Sequence, residues 1–488
     1  MPLSDQEAAR LSAVPTRLLV DGTWQDASDG RTMAVEDPAT GEVIAHVADA
    51  GPQEARSALD AAVRAGPRWA AQPPRVRADV LRRAQEEVIA RADELALVMT
   101  LEMGKPLVQA REEVAYAAEY LRWFSEEAVR VEGGYQVAPD GRRMLVMRQA
   151  LGPALAILPW NWPLVMAARE LGPALAAGCT LVLKPAKETP LSTLALAEIL
   201  ERSGAPDGVV NVVTSSSSSS VTEPLIEDPR LRLLTFTGST EVGRSLMADA
   251  AKQLLRVSME LGGNAPFIVF PDADPDAALE GAMLAKVRNV GESCTAANRL
   301  LVAEPLAEAF TRRLAERISA LKVGRGTEPG VEVGPLVNEE QREGVAELVD
   351  DALSRGAEAL TGGRRVEGPG WFYEPTVLAR VPPDARVLHE EIFGPVAPVV
   401  TFSTEEDAIA AANATEYGLV AYVYTRDLDR ALRVSEALET GMVGLNQGVV
   451  SNPAAPFGGV KRSGFGRKGG RQGLEEYLGT KYVALGAP

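Results

Sequence analysis

The stretch GPALAILPWNWPLVMAARELGPALAAGCTLVLKPA, residues 152–186, decides the fold. It belongs to the most apolar region of the chain, residues 151–183. Four prolines there, together with Arg169 and Glu170, break the run, so it reads as buried core rather than a bilayer span. LAILPW (155–160) and TLVLKPA (180–186) have the length and composition of strands, and further apolar runs follow at GVVNVVT (208–214), LRLLTFTG (231–238) and APFIVF (265–270). Helical segments such as TLALAEILERSG (193–204) separate them. Strand, helix, strand at this spacing predicts a parallel sheet covered by helices on both faces, a doubly wound nucleotide-type unit over residues 150–262.

Upstream, residues 52–132 carry apolar residues three and four apart, as in RADVLRRAQEEVIARADELALVMTLEMGK, and predict a long helical section after a loose or helical arm and a strand and turn at TRLLVDGTWQDA. Downstream, RLLVAE, YEPTVLA, VAPVVTF and VAYVYT predict the strands of a second α/β unit over 263–460. The tail EEYLGTKYVAL is an amphipathic strand without a local partner, and the run Ser215 to Ser220 reads as a polar connection. At 488 residues, two or three domains are expected.

A net charge of −17 excludes the basic stripe that nucleic-acid binding needs. The N-terminus shows no basic start followed by an apolar run, so a cytoplasmic protein is expected, with no membrane partner. Two cysteines and two histidines, far apart in sequence, supply neither a disulfide framework nor a metal site, and no metal is expected.

Cys179 lies among apolar residues and reads as a small buried hydrophobe. Cys294, in RNVGESCTAANR (288–299), follows a helix capped by Asp274 with Pro275 at its first position, and sits in a helix-to-strand loop that can present a reactive thiol. The nucleophile is the thiolate, so a base must take its proton. With no histidine nearby, the candidate is Glu260, set between Met259 and Leu261 at the expected start of a strand, where apolar surroundings would make a carboxylate a base near neutrality. A paired structural glutamate is the alternative.

FTGSTEVGRS (236–245) follows a strand and opens a helix. It resembles a phosphate-binding P-loop but lacks the lysine, and Glu241 would oppose phosphate, so a dinucleotide pyrophosphate at this helix N-terminus fits better than a triphosphate. PWNWPL (159–164) fixes the Asn161 amide in a rigid turn, as an oxyanion donor needs, or else only packs its aromatic rings. Lys184 and Lys187 follow the carboxyl end of a strand, where open sheets bind ligands.

These pieces together resemble the aldehyde dehydrogenase superfamily, and within it the succinate-semialdehyde dehydrogenases. PWNWP, GPALAAGCTLVLKPA, FTGSTEVG, MELGGNAPFIV, GESCTAANR, EEIFGPV and PFGGVKRSGFGRKGG occur in family order over nearly the whole chain. The resemblance implies a Rossmann-type dinucleotide-binding domain (1–127 and 150–262), a second α/β catalytic domain (263–460) and a small β oligomerisation element (128–149 and 461–488), in a homodimer or homotetramer. It implies Cys294 as nucleophile, Asn161 with the Cys294 N–H as oxyanion hole, and Glu260 as the base for thioester hydrolysis.

For the cofactor it implies Pro159, Trp160, Lys184, Lys187, Gly238, Ser239, Gly243, Leu261, Glu391 and Phe393. Lysine at 187, where NAD-specific members often have glutamate, points to NADP, with NAD as the alternative. For the substrate it implies Arg169 and Arg288 against the carboxylate of succinate semialdehyde, with Ser451, Trp162 and Phe457. The alternatives are another aliphatic or aromatic aldehyde with both arginines structural, or, more distantly, a non-catalytic binding protein on the same fold. Three departures from the family stand out: Glu170 where lysine is usual, Lys468 where a proton-passing glutamate is usual, and Thr295 and Ala296 where several relatives carry a second, redox-switching cysteine.

Overall fold

The structure, a computed structural model, describes residues 3–486. An eight-stranded sheet runs in the order Gly464–Phe465, Arg256–Glu260, Leu233–Thr237, Ala154–Ile157, Leu181–Lys184, Val210–Val212, Leu18–Val20, Thr23–Gln25. Its five central strands are parallel. Strand order reverses at Ala154–Ile157: the chain first adds the two strands on one side, then returns to add Leu233–Thr237 and Arg256–Glu260 on the other. The crevice beyond such a reversal is where doubly wound sheets bind ligands.

The helix in the opening stretch, Pro163–Ala177, is buried at every residue, its two charges Arg169 and Glu170 each in a buried ion pair. Proline occupies its first turn, and it ends at Gly178 with φ +92, a left-handed cap that a side chain would strain. Trp162 at its N-cap offers no capping side chain. Glu113 does so instead: its Oε1 accepts from the N–H groups of Leu164 and Val165 at 3.0 and 3.1 Å. Lys105 pairs with the other oxygen of Glu113 and donates at 3.0 Å to the carbonyl of Asn161, so a buried ion pair holds the turn that carries Asn161.

The second sheet has seven strands: Glu358–Thr361, Thr376–Ala379, Val396–Phe402, Ala297–Ala303, Ala265–Val269, Val420–Tyr424 and Met442–Leu445. All neighbours but the first pair are parallel. A four-residue connection, 261–264, joins Glu260 at the end of the first sheet to Ala265 at the start of a strand of the second. Strands Gly134–Val137, Arg143–Ala150 and Leu478–Leu485 form a separate antiparallel sheet, which gives the C-terminal strand its partner.

Three expectations change. Glu260 ends a strand rather than starting one: Arg256–Glu260 pairs up to that residue, and 261–264 join neither sheet before Ala265 opens the next strand. Only residues 478–485 of the C-terminal segment join the small sheet: Gly464–Phe465 pairs with Met259 and Glu260, and Gly470–Glu475 packs on Pro163–Ala177. The serine run is partly helical, since Ser218 opens Ser218–Ile226 while Ser216 bonds Asp49 through both N–H and Oγ, at 2.9 and 2.8 Å. Among the described residues no helix is long and apolar enough to cross a membrane.

Candidate active site

Cys294 stands where the two sheets meet. The helix Pro275–Val287, with Asp274 capping it and Pro275 first as expected, gives way to a single turn at Arg288–Gly291. Asn289, Val290 and Gly291 have φ of 55, 58 and 76. A β-branched residue rarely adopts that conformation, so surrounding bonds must hold it there. The Asn289 amide supplies them, donating to the carbonyls of Asn161 and Glu292 at 3.0 and 2.8 Å, while its N–H donates to Gln109 Oε1 at 2.7 Å. The strained turn lifts Cys294 clear of the helix, half-buried rather than packed.

Cys294 Sγ lies 3.3 Å from Glu260 Oε1. Burial, then the charge of Glu260, pushes the thiol well above its ordinary value, so at neutral pH the resting thiol is protonated and faces a carboxylate. The surroundings of Glu260 differ from the expectation: its other oxygen pairs with the Arg169 guanidinium, and Thr237 Oγ1 donates to that oxygen at 3.4 Å. Asn161 Nδ2 donates to the Glu292 carbonyl at 3.1 Å, which leaves its second N–H for a ligand. Cys179 is fully buried, its thiol pushed by burial up to about 11, as befits an inert core residue.

A cavity of about 300 Å³ adjoins the thiol, lined by Pro159, Trp160, Asn161, Gly238, Ser239, Glu260, Leu261, Cys294, Glu391 and Phe393, all expected from sequence, and by Thr237, Gly262 and Gln341, which were not. It lies over the strand ends at Ile157 and Thr237, at the reversal of strand order. Ser239 caps the helix Thr240–Ala251. Gly243 lies against Leu261, where a Cβ would come within 2.3 Å of a methyl, so glycine lets that helix and the cavity wall close together. Glu391 accepts the Gly263 N–H at 3.1 Å, and burial pushes its carboxyl up to about 7. These features fit a dinucleotide with its pyrophosphate at the helix N-terminus and its nicotinamide beside the thiol.

Lys184 and Lys187 do not line that cavity. Lys184 is buried at the end of its strand, and its ammonium is pushed down to about 8 by burial. Lys187 is exposed in the loop beyond, 3.8 Å from Glu188, and borders a second cavity of about 260 Å³ with Ser216.

The three polar substrate-side residues converge on Tyr116, which no sequence motif marks: its hydroxyl stands beside Ser451 and in the field of Arg169 and Arg288. Phe457 stacks under Arg169 at 4.8 Å, and the Trp162 ring receives Arg288 at 4.9 Å and Lys105 at 4.2 Å. Among the described residues Arg288 has no carboxylate partner. No local motif marks Tyr116, Thr237, Lys105 or Glu113, because their partners are remote in sequence.

Glu170 and Lys468, the two departures, form one buried ion pair at 2.7 Å. Tyr477 and Thr235 also donate to Glu170, at 2.6 and 3.0 Å. Burial alone would raise the Glu170 carboxyl, but Lys468 and these bonds hold it below its usual range. Two exchanged charges that meet compensate each other.

An aldehyde dehydrogenase family model matches residues 24–483, so the chain belongs to the aldehyde dehydrogenase family. It is 57% identical to a succinate-semialdehyde dehydrogenase of Paenarthrobacter nicotinovorans over 91% of this chain and 99% of that one. It is 50% identical to a glutarate-semialdehyde dehydrogenase of Pseudomonas aeruginosa over 100% of both. Among solved structures, an NADP-dependent enzyme of E. coli superposes with a TM-score of 0.96 at 47% identity, covering 100% of both chains.

Two outcomes are expected. Alkylation of Cys294 by iodoacetamide in the cofactor-free protein should have its pH midpoint above the ordinary thiol value of 9.0, and Glu260→Gln should lower it by removing the neighbouring anion. An unmoved midpoint would mean that the carboxylate does not face the thiol. Glu170→Lys alone, which sets two ammonium groups together in the core, should cost roughly 3–5 kcal/mol in denaturation experiments, and adding Lys468→Glu should restore most of it.

Proposed function

We propose that the protein oxidises succinate semialdehyde to succinate with NADP, through a thioester on Cys294. Glu260 takes the thiol proton, and the sulfur attacks the aldehyde carbon to give a thiohemiacetal. The oxyanion is received by the second N–H of the Asn161 amide and the Cys294 N–H. When bound, the cofactor would supply the hydride acceptor needed to oxidise this adduct to a thioester on Cys294. Glu260 then gives the thiol proton up to solvent, the proton of the net balance; water attacks the thioester carbon and gives a proton to the freed carboxylate, the carbon–sulfur bond breaks, and the acid departs as Glu260 returns that proton to the Cys294 thiolate. The balance is aldehyde, oxidised cofactor and water to acid, reduced cofactor and a proton.

The observation that carries the substrate assignment is Arg288: a half-buried guanidinium held against Trp162, without an anionic partner among the described residues, beside Tyr116 and Ser451. A cation left in that state suits a ligand carboxylate through charge-assisted bonds. The relatives that act on succinate and glutarate semialdehydes support a carboxylate-bearing aldehyde of this size. For the cofactor, Lys187 has the charge to pair with a 2′-phosphate, and the likeness to the NADP-dependent enzyme of E. coli supports that choice, with NAD as the alternative. Assembly as a homo-oligomer belongs to the same proposal. The small sheet has open edges and exposes Tyr135, Val137 and Tyr482, which a second subunit would cover.

Measured as kcat/KM from reduced-cofactor absorbance, succinate semialdehyde should exceed butanal strongly. Arg288→Ala should lose about 10- to 100-fold for the semialdehyde and little for butanal. Equal turnover of butanal by the unaltered protein would leave the chemistry of Cys294 standing and sink the substrate assignment. Lys187→Glu should reverse the preference between NADP and NAD, and an unchanged ratio would remove Lys187 from 2′-phosphate recognition.

A further inference from the structure

The Arg169 guanidinium is buried and pairs with Glu260, the carboxylate that faces the nucleophile. It is also incompletely satisfied: its Nε–H is buried with no acceptor, while the Phe457 ring covers it at 4.8 Å. A buried donor without an acceptor is costly and rare. We propose that Arg169 is exchanged between Glu260 and the substrate carboxylate, so that a carboxylate-bearing aldehyde releases the base that its own turnover requires. This rests on the function proposed above.

The two halves of the reaction ask different things of Glu260. To take the thiol proton it must face sulfur, and with one oxygen 3.3 Å from Sγ and the other held by Arg169 and Thr237, it does. Once the sulfur is acylated, the same carboxylate has to turn toward a water beside the carbonyl carbon. Pulling it from a buried guanidinium with nothing in return leaves a charge unpaired in the core, which is strongly unfavourable. A carboxylate two methylenes from the reacting carbon offers the guanidinium a replacement and occupies the idle Nε–H, so the number of paired charges stays constant as Glu260 swings away. A neutral aldehyde offers no replacement, and its acyl-enzyme waits. Water adds to the thioester carbon, its proton goes to Glu260 and thiolate leaves, with no additional reactant needed.

Rapid mixing of the full-length protein with NADP and butanal tests this. The expected record is a burst of reduced cofactor approaching one equivalent per subunit, then a steady state on the order of tenfold slower. Sodium acetate, against chloride of equal ionic strength, should raise the steady rate and leave the burst amplitude alone. Succinate semialdehyde should show no burst. In Arg169→Gln the steady rate with butanal should rise about tenfold and lose its response to acetate, while KM for the semialdehyde rises.

The exchange is overturned if butanal gives no burst, or if its steady rate ignores both acetate and Arg169→Gln. In that case a semialdehyde preference expressed in KM alone would leave Arg169 as a simple anchor. Equal kcat/KM for the two aldehydes in the unaltered protein overturns the substrate reading instead. If Arg169→Gln does not fold, the acetate titration of the unaltered protein decides by itself.

Discussion

The carboxylate of Glu260, divided between a thiol and a guanidinium, is the contact on which the rest of this structure depends. It ends the edge parallel strand of one sheet, four residues before the first strand of the other, so a short connection fixes the base at the seam between the two units. Cys294 reaches the seam from the opposite side, on a strained turn that opens the strand Ala297–Ala303. Neither sheet alone contains a nucleophile and its base. The family's chemistry arises where the carboxyl ends of one sheet face the loops of the other.

Holding the seam requires charges inside the core, and the chain places them in pairs. Lys105 and Glu113 support the turn of Asn161, and Glu170 and Lys468 brace the strand Leu233–Thr237 through Thr235. A buried pair adds little net stability over apolar packing, but its partners cannot be removed singly. That accounts for the exchanged polarity at 170 and 468: reversing both charges preserves the pair, whereas reversing one would leave like charges together. Not every buried charge is paired: Lys286 has no partner for its ammonium among the described residues, and Glu292, beside the nucleophile, is a fully buried carboxyl that burial pushes well above its usual range.

Much of this was legible in the sequence because it is local. The alternation of apolar runs and helices from 152 onward dictates the doubly wound sheet, and the Asp274 and Pro275 cap announces the helix before Cys294. Cys294, Glu260 and Asn161 could be singled out from their neighbours, and the structure brings them together. What was not legible is long-range or depends on register. The apolar flanks of Glu260 suggest a strand start, whereas it is the last residue of Arg256–Glu260, a register that flanking residues do not report. Its apolar-looking neighbours conceal Arg169, 91 residues away. Tyr116 and Glu113 lie on a helix whose periodicity reports only which face is buried, not that the buried face carries a hydroxyl and a carboxylate into a site built by other segments. The C-terminal tail was split between two sheets by pairing partners more than 200 residues upstream, which its own pattern cannot encode.

The most direct test of the division of labour between Cys294 and Glu260 is the intact mass of Glu260→Gln after prolonged mixing with succinate semialdehyde and NADP, followed by peptide mapping. The account predicts a mass increase of one succinyl group, confined to Cys294 and formed more slowly than the first turnover of the unaltered protein because the amide cannot take the thiol proton, with about one equivalent of reduced cofactor and no further turnover. Multiple turnovers without an adduct would show that another group hydrolyses the thioester, and an adduct on Cys179 would contradict the assignment of the nucleophile.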